Sequence, residues 1–182
     1  MFDLDRFIAE CQDAVLADDG QKAVRELVSR AVSDHAAVLR ALGEPTKAGL
    51  NTLYRSDTLT VLNLVWGPHM TLSPHNHGMW AVIGLYTGRE DNIFWRRIED
   101  EAGSRVEAAG AKSLSVGEAA PLGKDIIHSV LNPIPRLTGA LHVYGGDFFR
   151  PGRSEWDAES LREGPYDAER TRALFEAANA GR

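Results

Sequence analysis

Between residues 50 and 146 the chain is a series of short runs rich in β-branched and large apolar residues, with no long helical stretch between them. Thr58–Trp66, Met79–Tyr86, Ile93–Ile98, Lys112–Val116, Ile126–Leu131 and Gly139–Tyr144 each read as a strand. Turn chemistry separates them at Gly67-Pro68, Gly88, Gly103, Gly117, Pro121-Leu122-Gly123 and Asn132-Pro133. Many short strands without long connecting helices predict an all-β sandwich or barrel.

The ends read differently. In residues 1–45, Leu4, Phe7, Ile8, Cys11 and Val15 recur at three- and four-residue steps, one face of a helix that Asp3 can cap and Asp18-Asp19-Gly20 can stop. A second helix carries Val24, Leu27, Val28, Ala31 and Val32. A third starts at Ser33 or Asp34, carries Val38, Leu39 and Leu42, and stops at Gly43 before Pro45. Residues 147–182 form an extension with a short helix capped by Asp167, carrying Leu174, Phe175 and Ala178 and ending near Gly181. At 182 residues the expectation is one domain, 1–182, with the end helices packed on the β region.

Composition narrows the function classes. With 43% hydrophobic and 25% charged residues, disorder is not the overall description. A net charge of −6 argues against a general nucleic-acid binder. The one cysteine, Cys11, can form no intrachain disulfide and sits on an apolar helix face as a core residue. The start has no basic segment followed by an apolar run, and no stretch approaches 18 apolar residues. A cytoplasmic protein with no membrane partner is the expectation.

Chemistry centres on the histidines. In His75-Asn76-His77 the two imidazoles, two residues apart on a strand, share a face and can reach one metal. Pro74 suits the entry to that strand. His128 adds a third imidazole inside an apolar strand, between Pro121-Leu122-Gly123 and Asn132. His142 and Tyr144 share a strand face, and would look into the same cavity if their strand neighboured that of His128; the alternative is a pair of core residues with polar tips. Glu90-Asp91 and Arg96-Arg97 read as solvated charge clusters beside a strand.

These residues carry a family resemblance. Gly67, His75, His77 and Gly88, then Pro121, Gly123, His128 and Asn132, resemble the two cupin motifs, with two extra residues before His128. The usual glutamate ligand, due near Ala81 or Val82, is missing. That resembles the three-histidine pattern of the cysteine dioxygenase-like branch. Trp66-Gly67-Pro68, the His77-Gly78-Met79-Trp80 stretch and Leu141-His142-Val143-Tyr144 are similar to that branch, most of all to bacterial proteins described as predicted metal-dependent enzymes of the double-stranded β-helix type.

The resemblance implies a mainly β cupin double-stranded β-helix, a jelly-roll barrel with N-terminal helices and a short C-terminal helix. It implies a metal on His75, His77 and His128, with Fe(II) the family's metal. Zinc and nickel stay open, because imidazole suits all three. It implies His142 and Tyr144 as catalytic groups, although Ala140 replaces the serine of the family's Ser-x-His-x-Tyr relay and no cysteine follows the histidine pair. Arg55 is the candidate for a substrate carboxylate, against a solvated arginine. Trp80 is a candidate pocket wall, against core packing. The implied reaction is dioxygenation of a small thiol to a sulfinate, with a small-molecule substrate and O2 as partners. The rivals are a zinc or nickel hydrolase, lyase or isomerase, which would want a carboxylate base in the cavity, and a non-catalytic cupin that binds a metabolite or metal.

Overall fold

The computed structural model describes residues 2–16, 19–100 and 103–180. Its strands are β1 Gly49–Arg55, β2 Thr60–Trp66, β3 Thr71–Asn76, β4 Ala81–Thr87, β5 Arg89–Asp100, β6 Gly103–Ser115, β7 Ala119–Leu122, β8 Ile127–Leu131, β9 Thr138–Tyr144, β10 Ser154–Trp156 and β11 Glu163–Pro165. They form two antiparallel sheets in the orders β1-β2-β9-β4-β7 and β11-β10-β3-β8-β5-β6. β2, β4, β7 and β9 lie in one sheet and β3, β5, β6 and β8 in the other, so that β2-β9-β4-β7 faces β3-β8-β5-β6. That order is the jelly roll, two Greek keys closed into a double-stranded β-helix. The predicted fold class is the observed one.

Alternation along the strands sorts the residues. On β9, Ala140 and Tyr144 join the barrel interior, while Leu141 and Val143 face outward. The outward face of the first sheet is apolar because helices cover it. These are α1 Leu4–Val15, α2 Gly20–Ser33 and α3 His35–Leu42. Phe7, Cys11, Val24, Val28, Val32 and Val38 pack there on Val61, Val82, Tyr86, Leu141 and Val143. The approach is close at Gly84, where an added Cβ would lie 2.4 Å from a Val28 methyl.

The caps follow from the sequence. Asp3 Oδ1 accepts from the Arg6 N–H at 2.8 Å, and Asp34 Oδ1 from the Ala37 N–H at 3.1 Å. Gly43, at φ +82°, ends α3. Asp167 accepts from the Arg170 N–H at 2.9 Å and opens α4 Ala168–Ala180. Asp18 and Gly181, expected at helix ends, lie outside the described residues. No helix among the described residues is long and apolar enough to cross a membrane.

Two expectations about strands change. Pro74 lies inside β3, not at its entry, where a register shift between Leu72 and His75 interrupts the ladder with β8. Such an irregularity is where a residue without an N–H is tolerated. β8 and β9 are not neighbours; they belong to opposite sheets, and their inner faces meet across the barrel.

Candidate metal centre

His75 on β3 stands opposite His128 on β8, and His77 follows just past the end of β3. All three are buried. His77 Nε2 lies 3.3 Å from His75 Nε2 and 3.3 Å from His128 Nε2. Among the described residues this is the group of histidines, cysteines and carboxylates able to hold a metal ion.

The surrounding bonds decide which nitrogens are free. His75 Nδ1 is 2.9 Å from the Ser73 carbonyl, which only accepts, so the proton sits on Nδ1. His128 Nδ1 is 2.7 Å from Asn92 Oδ1, and Asn92 Nδ2 donates to Glu90 Oε1 at 2.9 Å. His128 therefore also carries its proton on Nδ1. Both Nε2 atoms keep lone pairs aimed at one place. His77 Nδ1 is buried with no hydrogen-bond partner among the described residues.

Protons cannot settle between these rings. Burial pushes His75 down to about 4, and the nearby Arg153 and His142 push the same way. Burial, then the neighbouring imidazoles, holds His77 and His128 well below the ordinary histidine value. A divalent cation fits what a proton does not. Two nitrogens 3.3 Å apart and each about 2.1 Å from a common ion subtend roughly 100°, between octahedral and tetrahedral angles.

His142 and Tyr144 reach the same space from the opposite sheet. Both are buried, with the Tyr144 hydroxyl 3.0 Å from His142 Nδ1. The Tyr144 ring meets His77 edge-on at 5.1 Å. Burial raises the Tyr144 hydroxyl far above its usual range, so it is a phenol. Behind His142 stands Glu90, fully buried rather than solvated as its sequence neighbours suggested. On β5 the residues alternate, so Glu90, Asn92 and Phe94 point inward while Arg89 and Asp91 pair outside at 2.8 Å. Glu90 Oε2 accepts from Trp66 Nε1 at 2.7 Å and lies 3.5 Å from His142 Nε2. Burial alone would raise its carboxyl; His142, Asn92 and Trp66 together hold it below the ordinary value.

The cavity between these groups is about 20 Å³, room for one water-sized molecule. Its walls include the three histidines, His142, Tyr144 and Phe148. No carboxylate lines it among the described residues. Phe148, Tyr166 and Phe175 separate it from a surface groove of about 490 Å³. Arg153 lines the groove side of that wall, stacked 4.3 Å over Phe148 and 4.0 Å over Tyr166. Its Nη1 is buried and has no hydrogen-bond partner among the described residues. Nothing in its surroundings in sequence marked it.

Two expected site residues are elsewhere. Arg55 is half exposed, donates to both Asp147 oxygens at 2.8 and 2.9 Å, and lies over the Phe149 ring. Its donors are committed away from the cavity. Trp80 packs with the helices on the outer face of the first sheet, pressed against Gly145, where an added Cβ would lie 2.1 Å from its ring. Asn132 is a turn residue: its amide donates to the Gly67 and Arg136 carbonyls at 2.7 and 2.8 Å.

No protein-family model matches the chain. Similar solved structures include an RmlC-like cupin family protein of Methanocaldococcus jannaschii with a double-stranded β-helix fold, 7% identical over 58% of this chain and 86% of that one, at a TM-score of 0.47. A cupin superfamily protein of Desulfitobacterium hafniense is 13% identical over 60% and 88%, at 0.45. A variant of the oxalate decarboxylase of Bacillus subtilis is 17% identical over 59% of this chain and 28% of its own, at 0.44.

Proposed function

We propose that the protein is a metal-dependent oxidoreductase that uses O2 to oxidise a small anionic thiol to a sulfinate, with the metal on His75, His77 and His128. The observation that carries this reading is the convergence of three imidazoles, with His77 Nε2 3.3 Å from the Nε2 atoms of His75 and His128, on a small cavity also lined by Tyr144. A divalent metal there, Fe(II) by the family resemblance, supplies open coordination positions and redox chemistry.

The chain's own groups do the rest. Neutral histidines leave the metal's charge uncompensated, which favours an anionic ligand. Arg153 adds a second positive group with an unused donor on the groove side of the aromatic wall, suited to the carboxylate of a substrate that enters there. It takes the place first sought in Arg55. Tyr144, held by His142, offers one hydroxyl to whatever occupies the cavity. The aromatic wall excludes water and must shift to admit a substrate of several heavy atoms, because the closed space is so small. The hydrolytic rival wants a carboxylate base among the lining residues, and none is there among the described residues.

The test is O2 uptake by iron-loaded protein with cysteine, 3-mercaptopropionate and cysteamine. Uptake with a carboxylated thiol, lost in Arg153→Ala through a raised KM, is the expected result. Absence of uptake with all three would overturn the oxidase reading.

A further inference from the structure

The relay expected from the sequence lacks its serine, since Ala140 stands where the family's hydroxyl would anchor the histidine. The structure offers an anchor from another strand and the opposite sheet. His142 Nε2 is buried, makes no full hydrogen bond, and has Glu90 Oε2 at 3.5 Å. That oxygen already accepts from Trp66 Nε1, and its partner Oε1 accepts from Asn92. Every hydrogen-bonding group turned toward this carboxylate is thus a donor or can be one. A carboxylate so surrounded only accepts.

We infer that Glu90 is a positioning residue that keeps a proton on His142 Nε2 and so leaves His142 Nδ1 as the atom that answers to Tyr144. In the neutral ring Nδ1 has its lone pair toward the phenol, and the Tyr144 hydroxyl donates to it across their 3.0 Å contact. The same carboxylate orients the Asn92 amide, which in turn holds the proton on Nδ1 of the ligand His128. One buried charge therefore sets proton positions on both sides of the cavity. The arrangement parallels the carboxylate that fixes the tautomer of a catalytic histidine in hydrolase triads. Glu90→Leu fills a similar volume and removes both acceptor oxygens. His142 Nε2–H then faces no carboxylate, and the proton moves to Nδ1, toward the Tyr144 oxygen.

The inference deepens the proposed function, but its first readout needs neither metal nor turnover. Long-range proton–nitrogen NMR spectra of the full-length, nitrogen-15-labelled protein report which ring nitrogen of His142 is protonated. In the metal-free and zinc-loaded protein, His142 carries its proton on Nε2 and none on Nδ1. In Glu90→Leu the ratio of Nε2-protonated to Nδ1-protonated ring falls at least tenfold. A native His142 with a proton on Nδ1 overturns the inference, whether or not the variant folds, and so does an unchanged ratio in a folded Glu90→Leu. Absent uptake with the expected NMR result counts against the oxidase reading and leaves the Glu90 placement standing.

Discussion

The two faces of the first sheet are equally buried and chemically opposite. Outward, Val82, Leu141 and Val143 meet Val28 and Val32 of α2, and the Tyr86 hydroxyl beside them donates to Asn63 Oδ1 at 2.6 Å. Inward, His142 and Tyr144 on the same β9 face His75, His77, His128 and the carboxylate of Glu90, all of them buried. Burial of apolar surface stabilises the first face at about 25 cal/mol per Å². Burial of polar groups costs stability on the second unless each finds a partner. A cluster of neutral imidazoles whose lone pairs lack donors is what the proposed metal site accounts for. The comparison teaches that depth is common to both faces, while function resides where burial is expensive.

The largest effect should come from the outward face. Leu141→Ala leaves a cavity under the helices and should lower unfolding free energy by about 2–5 kcal/mol. Metal bound per folded molecule should stay unchanged. Urea unfolding with metal analysis checks both, and loss of metal from folded Leu141→Ala would break the division between the faces.

The inward face should show its cost in acid. The unfolded chain takes up protons on its histidines near pH 6.5, while folded His75 resists until about pH 4. The unfolded state therefore binds more protons between these values, and stability falls as pH falls through that window. Each unit of difference is worth about 1.4 kcal/mol per histidine. In chelator-treated protein the urea midpoint should drop between pH 7 and pH 4.5, and His75→Leu should flatten the drop. A midpoint independent of pH would remove the claim that these imidazoles are kept neutral.

Tyr144→Phe sharpens the contrast within β9. Its hydroxyl is bonded to His142 rather than free in an open cavity, so its loss strands Nδ1 and should cost about 1–3 kcal/mol. Turnover should fall at least about tenfold, the low side of the usual hydrogen-bonding and acid–base range. Metal content should hold. Unchanged turnover would return Tyr144 to the packing role of Leu141.

The smallest effect belongs to Arg55. Its pair with Asp147 is exposed, and such pairs contribute about 0–1 kcal/mol. Arg55→Ala should leave turnover and KM within about twofold. A KM raised tenfold would restore Arg55 to the substrate site and displace Arg153.

What the sequence made legible was what depends on local spacing. The His75–His77 pair, the strand around His128 and the helix caps at Asp3, Asp34 and Asp167 follow from periods of two and 3.6 and from capping chemistry. Glu90 was missed because its neighbours are charged. Extending the inward alternation backward from Phe94 through Asn92 would have placed it inside, since β5 runs back to Arg89. Arg153 left no signal: it stacks on rings at 148 and 166, on either side of a short excursion through β10 and β11. Arg55 and Trp80 were misplaced because resemblance marks regions along the chain. Which way a side chain points at a strand end, toward Asp147 or toward Gly145, is settled by tertiary neighbours.

The central claim is that three imidazoles make one metal site, and metal content tests it most directly. Untagged protein, loaded with Fe(II), Zn(II) or Ni(II) and dialysed, should retain about one ion per chain. His128→Ala, checked for folding by its urea transition, should retain little. Equal metal retention by wild type and by a folded protein lacking all of His75, His77 and His128 would contradict the account.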